Sequence, residues 1–157
     1  MGEVVNTRSV PPAERLADNL ERPALDNRQY RVIRLPNQLE ALLIHDPDTD
    51  KVSAALDVNV GSYSDDDDMP GMAHAVEHLL FMGTKKYPKE NAYNEYLTKR
   101  SGYSNAYTAS TSTNYFFELS AFSTPSKSSA SSASSTRTDI SSLRSDSPLY
   151  GALDRFA

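Results

Sequence analysis

The sequence predicts an α+β fold in which an antiparallel sheet packs against helices. Three apolar runs with strand-like spacing follow one another through short turns between residues 28 and 60. Two segments with helical spacing come next, and another strand pattern follows at 113–119. Strands joined by short turns favour antiparallel pairing, and a sheet with one apolar face needs helices to cover that face.

The first three strands are expected to form one antiparallel meander. Residues 30–35 and 39–45 flank a turn, and Asp46-Pro47-Asp48 ends the second strand. From Lys51 to Val60 the residues alternate between apolar and polar, which predicts a strand with one face in a core.

The segment from Met69 to Gly83 is expected to be a helix, which Pro70 would open and Gly83 would close. At about 100° per residue, His74, Glu77 and His78 then share one face. Histidines four residues apart can bind one Zn²⁺, and a neighbouring carboxylate can take a proton from water. Two histidines can also fall at this spacing by chance, but the chain has only three. The order His-x-x-Glu-His is moreover that of the inverzincin metallopeptidases.

The segments around this helix predict packing rather than chemistry. Four aspartates, 65–68, could bind a cation, but their position favours interaction with the helix dipole. A second helix is expected from Pro88 to Arg100, with an i, i+4 pair of Glu95 and Lys99 and a stop at Gly102. Its apolar stripe, expected to pack in the core, consists of Tyr93, Tyr96 and Leu97.

Residues 103–110 predict a weak, polar strand beside the strongly apolar strand at 113–119. An edge strand of this kind can pair with an extended peptide.

Composition excludes several classes of function. The 157 residues carry a net charge of -5, with a pI near 5.1, which argues against binding to nucleic acid or to anionic membranes. No apolar run approaches the roughly 20 residues that span a bilayer. Because cysteine is absent, a metal site must use histidine and carboxylate ligands. We expect a cytoplasmic protein.

Four segments are expected along the chain. Residues 1–27 are predicted to be a flexible lead-in, and 28–122 the main part of one domain. The serine-rich stretch 123–147 is expected to be a disordered insert, because it has too few large apolar residues to offset the entropy of ordering. Residues 148–157 predict the start of a helix of the same domain.

The assembled motifs resemble the N-terminal domain of the pitrilysin family of zinc metallopeptidases, and in particular its insulysin branch. The similarity rests on several separate blocks in the same order: residues 69–84, 87–91, 104–108, 113–117 and 151–157. The resemblance implies a two-layer sandwich of a largely antiparallel sheet and helices, and this chain would carry a truncated form of it.

The resemblance also implies roles for individual residues. His74 and His78 would be ligands of one Zn²⁺, and Glu77 would be the general base. Asn105 and Ala106 would bind the substrate as an added strand. The third zinc ligand of the family is a glutamate downstream of the block that ends at Ala157.

For function, the resemblance implies a zinc-dependent metalloendopeptidase that cleaves short or unfolded peptides. The implied partners are peptide substrates and either the C-terminal half of the family's clamshell or a second copy of the chain. The implied compartments are the cytosol, mitochondria or peroxisomes. The alternative is an inactive, truncated remnant that acts at most as a peptide-binding module.

Overall fold

The computed structural model describes residues 12–18, 20–121 and 147–156. A short 3-10 turn, Ser62–Ser64, precedes the first helix. In chain order the strands and helices are β1 (Glu14–Ala17), β2 (Gln29–Arg34), β3 (Glu40–His45), β4 (Lys51–Val58), α1 (Met72–Leu79), α2 (Ala92–Thr98), β5 (Tyr103–Thr108), β6 (Thr113–Ser120) and α3 (Pro148–Phe156). These elements fall into two compact units that divide between Thr49 and Asp50.

The first unit contains an antiparallel sheet in the order β1-β2-β3. Strand β1 lies inside the segment that was expected to be a flexible lead-in, residues 1–27. It pairs with β2 through a bulge, and the carboxylate of Asp18, just after β1, forms an ion pair with Arg31 at 2.7 Å. Two of the four residues of β1 are charged, so the strand lacks the apolar alternation that predicts strands. The other limits expected for the segments stay predictions, because residues 1–11 and 122–146 lie outside the described part of the chain.

The second unit contains an antiparallel sheet in the order β4-β6-β5. The expected meander of three consecutive strands is therefore wrong, because β4 pairs with β6 from Lys51–Ser120 to Val58–Thr113 and not with β3. Every second residue of β6 is buried, and Leu119 and Phe117 lie opposite Val52 and Ala54 of β4, so the two strands contribute apolar side chains to the same core. Strand β3 makes no such contribution, since Leu42, Leu43 and Ile44 are 53%, 47% and 54% exposed.

All three helices contact the second sheet, which confirms the predicted α+β class. The core joins α2, β6 and α3, and its buried residues are Tyr93, Leu97, Phe117, Leu119 and Ala152. Tyr96 packs against the same core, as the predicted tyrosine stripe requires. Within the described residues, no helix is long and apolar enough to cross a membrane.

Both central helices are shorter than the sequence predicts. Helix α1 is preceded by Gly71 in the left-handed region at φ 90°, whereas Gly83 has no positive φ and does not end the helix. Helix α2 starts at Ala92 instead of Pro88. Glu95 pairs with Lys89 at 2.5 Å and not with Lys99.

The end of α2 is close to the prediction. The Gly102 N–H donates to the Leu97 carbonyl at 2.9 Å, and Ser101 takes the left-handed conformation at φ 52°. Gly102 therefore closes this helix as expected.

Helix α3 is fastened to the segment that follows α1. The Asp154 carboxylate accepts hydrogen bonds from Lys86 Nζ at 2.7 Å and from the Tyr87 hydroxyl at 2.6 Å. These two donors lower the pKa of Asp154, with Lys86 the larger cause. The Arg155 guanidinium lies 4.4 Å from the ring centre of Tyr87 and 4.0 Å from that of Tyr96, which adds cation–π contacts.

Gly61 lies where only hydrogen fits. A Cβ at this position would stand 2.3 Å from the Ala109 carbonyl oxygen and 2.7 Å from the Ser112 nitrogen. Both atoms belong to the backbone between β5 and β6, which cannot swing aside as the end of a flexible side chain can. The backbone is therefore packed tightly beside the end of β5.

We expect Gly61→Ala to lower the free energy of unfolding by about 2–3 kcal/mol, since overpacking forces the backbone to shift. Chemical denaturation monitored by circular dichroism measures the change. Ser64→Ala, in the exposed turn three residues on, is the control and should unfold like the wild type. An unchanged midpoint for Gly61→Ala would contradict the close contact.

Candidate metal centre

His74 and His78 lie one turn apart on α1 and are both exposed. Their Nε2 atoms face each other at 3.1 Å, and their ring centres are 4.8 Å apart. This separation allows an N–H···N hydrogen bond when one ring carries its proton on Nε2. Helix α1 therefore places the Nε2 atoms of the predicted pair next to each other, and Nε2 is an atom through which histidine binds metals.

The separation also fits a tetrahedral zinc ion. Two nitrogens that bind such an ion at about 2.05 Å lie roughly 3.3 Å apart, so the rings need only a small adjustment. Imidazole is a preferred zinc ligand, which agrees with this geometry. Among residues 12–18, 20–121 and 147–156, however, no three His, Cys, Asp or Glu side chains group closely enough to hold a metal ion. The described residues therefore offer two facing histidine nitrogens and no third group beside them.

Glu77 differs from the two histidines in its burial, with only 7% of its surface exposed. A buried carboxylate needs a hydrogen-bond donor, and the Thr108 hydroxyl donates to Glu77 Oε2 at 2.5 Å. Tyr115 of β6 lies opposite Ala106 of β5, so it shares the sheet face that carries Ala106 and Thr108. Burial raises the pKa of its phenol, and the negative charge of Glu77 raises it further.

A cavity of about 690 Å³ opens beside these groups. Its walls come from the loop before α1, from α1 itself and from the end of β5, and they include His74, Glu77 and Ala106. Three aspartates, 65–67, give the loop side a negative charge. His78 and Asn105, in contrast, are not part of the lining.

Strand β5 separates the two predicted substrate-binding residues onto opposite faces. Ser104, Ala106 and Thr108 are half-buried, whereas Asn105 is exposed. The Asn105 side-chain oxygen accepts a hydrogen bond from the Ala106 N–H at 2.9 Å. Of the two residues, only Ala106 lines the cavity. The Asn105 side chain instead binds a backbone N–H of its own strand.

A sequence model of the insulinase family, peptidase family M16, matches residues 40–157. The chain belongs to the M16 family. Pitrilysin, a solved structure, superposes with a TM-score of 0.67 at 38% identity, covering 69% of this chain and 12% of its own. The predicted pitrilysin-like fold is thereby confirmed for this M16 chain.

Curated relatives of the M16 chain show the same similarity. The A-factor-processing enzyme of Saccharomyces cerevisiae is 60% identical over 98 residues, which are 62% of this chain and 10% of that enzyme. The human insulin-degrading enzyme is 48% identical over 110 residues, which are 70% of this chain and 11% of that enzyme. The chain thus spans about a tenth of the length of these two relatives.

Two residues of this M16 site escaped the prediction of functional residues from sequence. Asp65 was grouped with its neighbours as a charge near the helix dipole, but its carboxylate accepts hydrogen bonds from the N–H groups of Gly71 and Ala73, both at 2.8 Å. The sequence alone places Thr108 only within the block 104–108. Its position two residues after Ala106, on the same face of a strand, is the signal that could have found it.

We expect Asp65→Ala to lower the free energy of unfolding by about 0.5–2 kcal/mol, because the first turn of α1 loses its side-chain cap. Thermal unfolding measures the change. The matched control is Asp68→Ala, which removes the same charge without touching either cap bond. Equal loss in both variants would mean that charge near the helix, rather than the two hydrogen bonds, stabilises α1.

Proposed function

We propose that this M16 chain carries two ligands and the general base of a zinc-dependent metalloendopeptidase that hydrolyses short or unfolded peptides. The observation that supports the proposal most directly is the facing pair of Nε2 atoms, 3.1 Å apart, on the same two turns of helix as a buried carboxylate. Histidine pairs that only decorate a surface do not need a buried acid between them.

His74 and His78 would hold one Zn²⁺ through Nε2. When bound, the ion would supply Lewis-acid polarisation of the peptide carbonyl and make a neighbouring water molecule more acidic. Both rings are exposed, so a metal ion can reach them from solvent.

Glu77 would move the proton. Because Oε2 already accepts the hydroxyl proton of Thr108, Oε1 is the oxygen that can accept a proton from the attacking water. The same oxygen can then return that proton to the amide nitrogen that leaves. Glu77 lines the cavity together with Ala106, so a peptide lying along β5 would pass within reach of it.

Strand β5 would hold the substrate by adding it as a further strand. In the described sheet β5 is the outer strand of the order β4-β6-β5, so one side of its backbone has no strand beside it. Alternate residues of an antiparallel strand turn their N–H groups outward, and the Ala106 N–H is one of these because it binds the Asn105 side chain. Asn105 would therefore move aside when a peptide pairs with Ala106.

The third zinc ligand and the rest of the substrate chamber would come from beyond the described residues. We propose a glutamate on a downstream helix as the ligand, and either a C-terminal half or a second copy of the chain as the partner. The cytoplasm stays our expectation for the compartment, with mitochondria or peroxisomes as alternatives.

A peptide-binding module without catalysis is the second candidate. The absence of a three-residue metal group among the described residues favours it, while the free edge of β5 would still accept a peptide. A binding module does not explain Glu77, however. Burying a carboxylate costs free energy, and peptide binding alone does not require that carboxylate.

We expect His74→Ala and His78→Ala each to weaken zinc binding by at least about tenfold, because a single imidazole cannot hold the ion as a pair does. Metal titration with a chromophoric chelator measures the affinity. His45→Ala is the matched control, since His45 is the third histidine and lies on β3 in the other unit.

Glu77→Gln should keep zinc binding and lower cleavage of a fluorogenic peptide by roughly 10²- to 10⁴-fold, the range of a general base. Cleavage undiminished by this change would contradict the role of Glu77 as the general base. A wild-type chain that binds peptide, does not bind zinc and does not cleave the peptide would favour the second candidate.

A further inference from the structure

The contact between Thr108 and Glu77 joins two functions that lie on separate elements. Glu77 is on α1 and is proposed to move the proton, while Thr108 ends β5, the strand proposed to hold the peptide. We propose that Thr108 is a positioning residue, which orients the Glu77 carboxylate and fixes it relative to the substrate strand. This inference rests on the proposed function above.

The hydrogen bond selects one of the two carboxylate oxygens. The Thr108 hydroxyl has one proton to donate, and Glu77 Oε2 accepts it at 2.5 Å. Glu77 accepts no other hydrogen bond from the described residues, so the Thr108 hydroxyl alone determines which oxygen is engaged. Oε1 accepts no hydrogen bond from the described residues, and Glu77 lines the cavity.

Thr108 is itself held firmly. Threonine is branched at Cβ, which restricts rotation about χ1. Thr108 pairs with Thr113 of β6, and the Thr113 hydroxyl donates to the Val60 carbonyl at 2.8 Å. The next residue, Ala109, accepts a hydrogen bond from the Ser62 N–H at 3.0 Å. The hydroxyl is therefore presented from a backbone that is anchored on two sides.

The register of β5 links this hydroxyl to the substrate. Ala106 and Thr108 are two residues apart, so their side chains share the half-buried face and both line the cavity. A peptide that pairs with Ala106 would then stand at a set distance from the oxygen of Glu77. Strand β5 would thus both pair with the peptide and orient the carboxylate of Glu77.

Two substitutions of Thr108 test this role, and each changes a single group of the side chain. Thr108→Val keeps the branched shape and removes the hydroxyl, whereas Thr108→Ser keeps the hydroxyl and removes the methyl group. Thr111→Val, at an exposed position in the connection after β5, is the matched control. The readouts are zinc affinity, kcat and KM for a fluorogenic peptide, and thermal unfolding.

We expect Thr108→Val to lower kcat by roughly 10- to 100-fold, the effect of misplacing a reacting group, with KM changed less than about threefold. Zinc affinity should stay within about twofold, because the Thr108 hydroxyl donates to Glu77 and not to either proposed zinc ligand. Thr108→Ser should restore most of kcat. A wild-type kcat in Thr108→Val, or a serine variant as slow as the valine variant, would overturn the proposal.

Thermal unfolding gives an answer that does not depend on turnover. Thr108→Val should lower Tm by about 4 °C or more in the wild-type background but have little effect in a Glu77→Leu background, where no acceptor is present. Equal losses in both backgrounds would refute the contact. If the wild-type chain neither binds zinc nor cleaves, the proposed function fails, while the difference between the two backgrounds still decides whether Thr108 holds Glu77.

Discussion

The burial of a carboxylate between a short helix and a strand is the constraint on which the rest of this unit depends. Glu77 has little access to water, so it must receive a hydrogen bond, and the donor must come from a neighbouring element. The hydrogen bond from Thr108 to Glu77 therefore joins α1 to β5 beside the cavity that His74 also lines.

The surroundings of α1 serve this arrangement. The helix has only eight residues, too few to be stable by local propensity, and most of its apolar side chains are exposed. Its stability must come from its ends and its contacts. Asp65 caps the first turn, Gly71 lets the chain enter in a left-handed conformation, and the segment after the helix is attached to α3 through Asp154.

Local patterns predicted the elements well and their partners poorly. The histidine pair, the helices and the alternation of β4 follow from spacing along the chain, and each is found within a few residues of its predicted position. The pairing of β4 with β6 joins residues more than fifty positions apart, so no turn signal could reveal it. The same limit applies to the site: Glu77 was predicted from its neighbours on the helix, but Thr108 is 31 residues away and became visible only in the folded chain.

The side chain of Asn105 also affects how the edge of the sheet meets other copies of the chain. An edge strand with unpaired N–H groups can pair with the same strand of another copy, and such edge-to-edge pairing can start aggregation. By occupying the Ala106 N–H, the Asn105 side chain leaves one fewer free donor on this edge for a strand of another copy to pair with.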